Sequence, residues 1–529
     1  MTGSEAVQGR SKSRYWWLVV SAALFGTLRM AFLGLALPPL APLDEHAHLD
    51  TAWRYADFEL PTIEKEHYLE KGAQFGARYL HREWFEAEPS DPWFFETIEQ
   101  LTQTRPTGAM PLNGELVDPE LRSRLIERQP ELAVIAEPVP SQILSGYVDR
   151  EKAAFTSAPN YELFEPPLYY AGAGLWQNLS PMQATPRHDF AWLRMFSALC
   201  FGVGVVLFAV LAKAMTRNTT TAVLVAWLVA CTPQDVFGVV KSDVLGPILY
   251  PGILLLALRL RVRISLGRGV ALGLGVALVW LGKPAFVPAL VGVPFVLGRR
   301  VLGSLKRDTR ARWVLVWSAV AALLPILAWS AYSVAESGDA TGANHKVGIM
   351  NFQPQTWDGF TNHPIWSLEG FGTFAGTTIA RLWRGEIPWH GEAMSARWAD
   401  WLFLGLTVIA TRIGLVAALR RSSHRRRAIA RALSLQWLAA FGLLFALSLL
   451  WDMREARTHM QGFPFFANGR LIFGAFGALA IFLCDAAVRR FGERVAALVV
   501  GAGILALAVF GFVVLLPMLE SPHLMWRLL

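Results

Sequence analysis

The run Pro42-Leu43-Asp44-Glu45-His46-Ala47-His48 sets two adjacent carboxylates and two imidazoles within five positions. It directly follows the first apolar run, which ends near Leu37 ahead of Pro38-Pro39. These groups therefore stand where a spanning helix would end and water begin. Side chains of these types accept protons, orient hydroxyls or ligate a divalent metal. A like charge alongside raises a carboxylate's pKa, so an Asp-Glu pair predicts one member able to take up a proton. A structural role is open to the same residues: Asp44 suits the N-cap of an amphipathic helix over roughly 46–58, with Glu45 favoured by the helix dipole. A metal shared by Asp44, His46 and His48 would need non-helical backbone, because residues two apart on a helix do not face each other.

Polar clusters recur further along the chain, at Glu165-Pro166-Pro167-Leu168-Tyr169-Tyr170, Lys241-Ser242-Asp243, Lys283-Pro284, Trp383-Arg384-Gly385-Glu386 and Asn468-Gly469-Arg470. Each alone has a structural account. Pro166-Pro167 suits a helix start, Asp243 suits the cap of the next helix, and Arg470 suits a snorkelling anchor.

The elements that must position these groups are membrane spans. The chain has 529 residues, 53% of them hydrophobic, and a mean hydropathy of +0.36. Apolar runs recur at about the length a bilayer requires. They predict an all-α polytopic membrane protein of about eleven transmembrane helices, near 16–37, 191–213, 219–238, 244–258, 268–282, 284–299, 313–335, 400–418, 430–450, 470–488 and 496–517. Arg10, Lys12 and Arg14 precede the first run with no small-residue cleavage site behind it, so that run is expected to be an anchor and not a removed leader. Cys200, Cys231 and Cys484 lie in or beside apolar segments, which suits packing and leaves no disulfide or cysteine-zinc framework.

The net charge of +8 conceals an asymmetry. Between Pro38 and Phe190 there are 25 Asp+Glu against 12 Lys+Arg, and the excess positive charge elsewhere sits in short loops. Those loops are Lys213/Arg217, Arg259/Arg261/Arg263, Arg299 to Arg312, Arg420 to Arg427 and Arg489/Arg490/Arg494. Such a pattern is positive-inside topology, not a nucleic-acid surface. It predicts a cytoplasmic N-terminus and first helix (1–37), a large first extracytoplasmic loop bearing the Asp44–His48 run (38–190), transmembrane helices (191–335), a second extracytoplasmic loop (336–398) and C-terminal transmembrane helices (399–529). Aromatic islands at Trp84-Phe85 and Trp93-Phe94-Phe95 suit interfacial anchoring or stacking on sugar rings. With this topology every polar cluster falls on the outer face, where Lys241, Lys283, Arg384 and Arg470 run against the positive-inside trend. An anionic headgroup would explain them.

The Asp-Glu pair just beyond a first span and the large first outer loop with its Pro-Pro-Leu-Tyr-Tyr element together resemble the GT-C superfamily of membrane glycosyltransferases. The likeness is nearest to bacterial branches related to protein mannosyltransferases, lipid A aminoarabinose transferases and cell-wall arabinosyltransferases. Related bacterial membrane proteins carry an Asp-Glu-x-Ala-His element, standing here as Asp44 to His48, and a Gly-Arg before a late span, matched by Gly469-Arg470. Their Asn-Asp turn is matched only by Ser242-Asp243. The resemblance runs from about residue 15 to 490 on short anchors. It implies inverting transfer of a sugar from a polyprenyl-phosphate donor to a cell-envelope glycan, lipid or protein acceptor, at the outer face of a bacterial cytoplasmic membrane. Asp44 and Glu45 would be the catalytic carboxylates. His46, His48, Glu165, Tyr169, Tyr170, Asp243, Lys283, Arg384 and Arg470 would bind substrate, the cations taking the leaving phosphate. Besides membrane lipids no further partner is implied, and a divalent metal on Asp44, His46 and His48 is the one cofactor the pattern admits. Two other classes compete. A transporter would place ionisable groups at mid-membrane and show paired halves, neither of which is visible. A non-catalytic envelope-assembly or lipid-binding protein would use the same cations without chemistry. A metalloprotease lacks its His-Glu-x-x-His.

Overall fold

In the computed structural model, residues 3–37, 44–69, 159–181, 186–350, 352–389, 392–393, 396–420, 423–452 and 465–519 are described. The aromatic islands of the first loop lie outside them. Seven helices are long and apolar enough to cross a membrane: Ser13–Ala36, His188–Thr216, Ser242–Val262, Thr309–Ser337, Arg397–Arg420, His424–Leu450 and Gly469–Val513. Three more apolar helices, Thr219–Cys231, Leu266–Gly282 and Pro284–Gly298, are shorter. The only strands among the described residues are paired two-residue pieces, Gln353–Pro354 with Trp451–Asp452 and Pro388–Trp389 with Glu392–Ala393. The chain is thus an all-α polytopic membrane protein.

Local chemistry explains where the helices break. Pro284 follows Lys283, whose extended backbone ends the preceding helix at Gly282 and starts a 3-10 turn. Gly492 sits at φ 77° and ψ 165°, dividing the long Phe473–Val513 helix between the two segments expected as separate spans. Asn218 starts the Thr219–Cys231 helix by accepting the Thr221 N–H at 2.8 Å.

The bundle has two chemically distinct ends. Helices from the first, Gly3–Ala36, pack on Pro186–Thr216 and Thr219–Cys231, and the Phe473–Val513 helix packs on Thr219–Cys231 in turn. At one end the Arg-rich connections meet: Arg426 donates to the Thr216 carbonyl, Asn218 to Glu493 at 2.7 Å and Arg261 to the Val296 carbonyl at 2.8 Å. At the other end lies a short helix, Glu45–Ala56, crossed by the Leu168–Gln177 helix.

That crossing is close. A Cβ on Gly174 would lie 2.6 Å from the Ala56 nitrogen and the Tyr55 carbonyl carbon, so only glycine allows the two backbones to touch. Gly252 faces open space. Gly174→Val is expected to force the helices apart at a cost of about 1–3 kcal/mol. It should lower the thermal unfolding midpoint in detergent-based size-exclusion assays, whereas Gly252→Ala should leave it unchanged.

Candidate functional site

The site is built on the start of the Glu45–Ala56 helix. Asp44 precedes it at φ 67° and ψ 15°, in the left-handed region, and its side chain makes no capping bond. The expected N-cap role is therefore not the one the side chain takes. The left-handed turn sends the two neighbouring carboxylates to different partners. Asp44 accepts from the Tyr161 hydroxyl at 2.8 Å and pairs with Lys241 Nζ at 3.4 Å, with 29% of its side chain still exposed.

Glu45 is wholly buried. Arg194 grips it with Nε on Oε1 at 2.9 Å and Nη2 on Oε2 at 2.6 Å, and the Val240 N–H donates to Oε1 at 2.8 Å. The same guanidinium donates through Nη1 to the carbonyls of Gly34 and Leu37, the last turn of the first helix. A carboxylate satisfied on both oxygens by a bidentate arginine is a fastening. The geometry gives Glu45 to the framework and leaves Asp44 to the surface.

Around Asp44 the remote polar clusters converge. Asp243 is buried between Lys283 Nζ at 2.9 Å and Arg470 Nε at 2.8 Å, not used as a helix cap. Lys283 also pairs with Glu165 Oε1 at 3.1 Å, and Ser242 donates to Glu165 Oε2 at 2.8 Å. Arg470 closes the ring by pairing with Glu386. Tyr170 donates to Glu165 at 2.9 Å, so its oxygen accepts from His48 Nδ1 at 2.6 Å. This assignment leaves His48 Nε2 with a lone pair, 4.0 Å from Glu162. Tyr169 lies behind, bonded to Ser197 at 2.9 Å and accepting the Lys241 N–H at 3.1 Å. His46 packs its ring beside Tyr68 and Tyr161. Arg384 stays apart and pairs with Asp400 at 3.1 Å; Glu386, two residues on, is the member of that stretch that joins the cluster.

Three participants carried no local signal. Tyr161 and Glu162 come from a turn fastened to the Glu45–Ala56 helix, where Asn160 donates to the Ala47 carbonyl at 3.1 Å and to Asp50 at 2.9 Å. Lys346 comes from the Ala343–Ile349 helix, docked on that turn by His345, which meets the Asn160 carbonyl at 3.1 Å. Lys346 pairs with Glu162 and is 30% exposed. Among the cluster's described ion pairs, Asp44 and Lys346 thus reach the surface most fully, while Lys241, Lys283 and Arg470 lie behind them.

The electrostatics reverse the simplest expectation. Burial alone would raise Asp44, but Lys241, Lys346 and Arg470 overrule it and hold the carboxyl well below the usual range. Burial and the Glu165 carboxylate push Glu162 up to about 8 against the pull of Lys346. Glu165 is held low by Lys283 despite its own burial. Of Asp44, Glu162 and Glu165, Glu162 is therefore the carboxyl that holds its proton. Its Oε2 and His48 Nε2 have no hydrogen-bond partner among the described residues.

Metal donors also converge differently. Of the expected set only His48 belongs to a group whose donor atoms approach within 4.8 Å, and its companions are Glu162 and Glu165. Lys346 and Lys283 already occupy those two carboxylates. The residues present do not fit a divalent ion unless a lysine is displaced.

No protein family model matches this chain, and no curated protein or solved structure is significantly similar to it.

Two outcomes follow from this geometry. Glu45→Gln strands a buried guanidinium and should cost about 3–5 kcal/mol, seen as loss of folded protein after detergent extraction; Asp44→Asn, which keeps the backbone preference, should not. Glu162, raised from 4.5 to about 8, keeps its proton in the folded chain when the unfolded chain has lost it. Stability contributed by this group is full below about pH 4.5 and is lost as pH rises through about 8. Thermal melts from pH 5 to 9 should show that decline in the native protein and a flatter profile in Glu162→Gln.

Proposed function

We propose that this chain is a membrane glycosyltransferase of the GT-C type, moving a sugar from a polyprenyl-phosphate donor to a cell-envelope glycan, lipid or protein acceptor with inversion. One observation carries the reading. Asp44 is an ionised, partly exposed carboxylate, freed from capping at the head of a membrane bundle, paired with the buried Lys241 and within the field of the more exposed Lys346. A proton acceptor and cations for a leaving phosphate are the two things the reaction requires in one place.

In this scheme the acceptor hydroxyl approaches Asp44 and attacks the anomeric carbon. The carbon–oxygen bond to the lipid phosphate breaks, the phosphate keeps the bonding electrons, and the hydroxyl proton passes to Asp44 and then to water. A carboxylate held this low is ionised throughout the physiological range, and it gains basicity relative to the hydroxyl only as the new bond forms. Lys346, the exposed cation, meets the phosphate first. Arg470 and Lys283, locked on Asp243, supply fixed positive potential from beneath. His48 and Glu165, joined through Tyr170, hold the wall that the sugar would meet.

The finer topology belongs to the same proposal. Counting the three short apolar helices, and the Gly469–Val513 helix as two spans across Gly492, brings the total to eleven. The Arg-rich end would face the cytoplasm of a bacterium and the Asp44 end the outside.

Reconstitution with purified polyprenyl-phosphate sugars, and separately with nucleotide sugars, tests the reading. Transfer is expected from the lipid donor alone, and Asp44→Asn should lower turnover by about 10²–10⁴-fold with donor binding retained. Transfer from a nucleotide sugar without a lipid intermediate would overturn the donor class. Near-normal turnover in Asp44→Asn would remove its assigned role.

A further inference from the structure

The Arg-rich end of the bundle, opposite the Asp44 cluster, contains a cleft of about 620 Å³ between three helices, Arg397–Arg420, His424–Leu450 and Phe473–Val513. Gly414 brings two of these helices together. A Cβ there would meet the Phe482 ring at 2.3 Å, so the first and third of these helices touch at that level. The lining of the cleft is of two kinds. Ile409, Ile413 and Val416 form an apolar wall, and Arg412, Arg420, Arg426 and Arg489 contribute positive charge against the single carboxylate of Asp485.

Asp485 is already neutralised by Arg489 at 3.0 Å, and Arg426 donates to the Thr216 carbonyl. Arg412 and Arg420 have no ion pair or hydrogen bond among the described residues. Arg412 is the informative one. It is exposed, and it lies eight residues inside a spanning helix from Arg420, about 12 Å of helix rise. A loop arginine is explained by topology alone, but an unpaired guanidinium at that depth faces hydrocarbon unless something anionic comes to it. A second basic cavity, lined by Arg217 and Arg425, adjoins the first through Ser423 and Arg426 and extends the positive field along the same edge.

The geometry points to a binding site for the phosphate of an anionic membrane lipid, with the phosphate between Arg412 and Arg420 and an acyl chain along Ile409, Ile413 and Val416. Charge complementarity selects an anion, and guanidinium groups bind phosphate oxygens bidentately. The apolar wall selects a lipid over a soluble anion, because a free phosphate would gain nothing from Ile409 and Ile413 and would have to leave water to reach Arg412. Basic pockets between spanning helices are a recurrent form of lipid headgroup recognition. This site is remote from Asp44 and does not depend on what chemistry occurs there.

The test is lipid retention by the full chain, read by native mass spectrometry after transfer from nanodiscs containing phosphatidylglycerol and phosphatidylcholine in equal amounts. The native protein should retain the anionic lipid at least tenfold over the zwitterionic one. Arg412→Gln with Arg420→Gln should bring retention to parity, while Arg310→Gln, at the start of the Thr309–Ser337 helix, should change nothing. Ile413→Trp fills the cleft without touching a charge and should lower retention as well. It keeps the proposal testable if the double variant fails to fold. Millimolar glycerol 3-phosphate should not displace the lipid. Parity in the native protein, or anionic preference that survives both cleft variants, would overturn the proposal. Full displacement by glycerol 3-phosphate would make it a soluble-anion site.

Discussion

The bidentate contact between Glu45 and Arg194 is the interaction on which the upper end of the bundle depends. It joins three places distant in sequence: the last turn of the first helix, the start of the Pro186–Thr216 helix, and the extended stretch that delivers Lys241. Buried ion pairs contribute little net stability, since desolvation offsets the attraction. What they do provide is a single permitted arrangement, because each misfit leaves an uncompensated charge in a low dielectric. Here that arrangement fixes where the Glu45–Ala56 helix begins, and so where Asp44 emerges.

The outer cluster repeats this logic in layers. Asp243 holds Lys283 and Arg470 in the deepest layer, Glu165 and Tyr170 tie that layer to His48, and Asp44 and Lys346 form the layer nearest water. Charges become less completely paired outward. A polar network that is saturated inside and unsaturated outside resists collapse while still offering groups to a ligand. The two orphan atoms, His48 Nε2 and Glu162 Oε2, lie where the pairing first runs short.

Much of this was legible in the residues, and what was hidden has a physical reason. The helical membrane character followed from apolar runs, and the two ends of the bundle from the segregation of arginine. Asp44, His48, Glu165, Tyr170, Asp243, Lys283 and Arg470 stood out as polar groups at span ends, and the fold brings them together. Partner choice did not stand out. Glu45 finds Arg194 across 149 positions and Arg470 finds Asp243 across 227, and no local spacing encodes such pairs. Arg384 had the same credentials as Arg470 but a nearer acid, Asp400, on the following helix. Lys346 and Glu162 carry no local signal at all; they meet because separate elements bring them together. For Asp44 the like-charge expectation does not hold, because it assumed that neighbours in sequence remain neighbours in space, whereas Asp44 turns to Lys241 and Glu45 to Arg194.

That assumption fails at one torsion angle. With φ at 67°, position 44 favours glycine, which adopts it without strain, and then asparagine and aspartate, whose short polar side chains tolerate it; for other residues it costs about 1–2 kcal/mol. Among acids this favours aspartate over glutamate before any question of reach or reactivity arises. A carboxylate one methylene longer would add backbone strain to whatever it changed in reach. The identity of the exposed acid is thus set as much by the shape of the chain beneath it as by the charge above it.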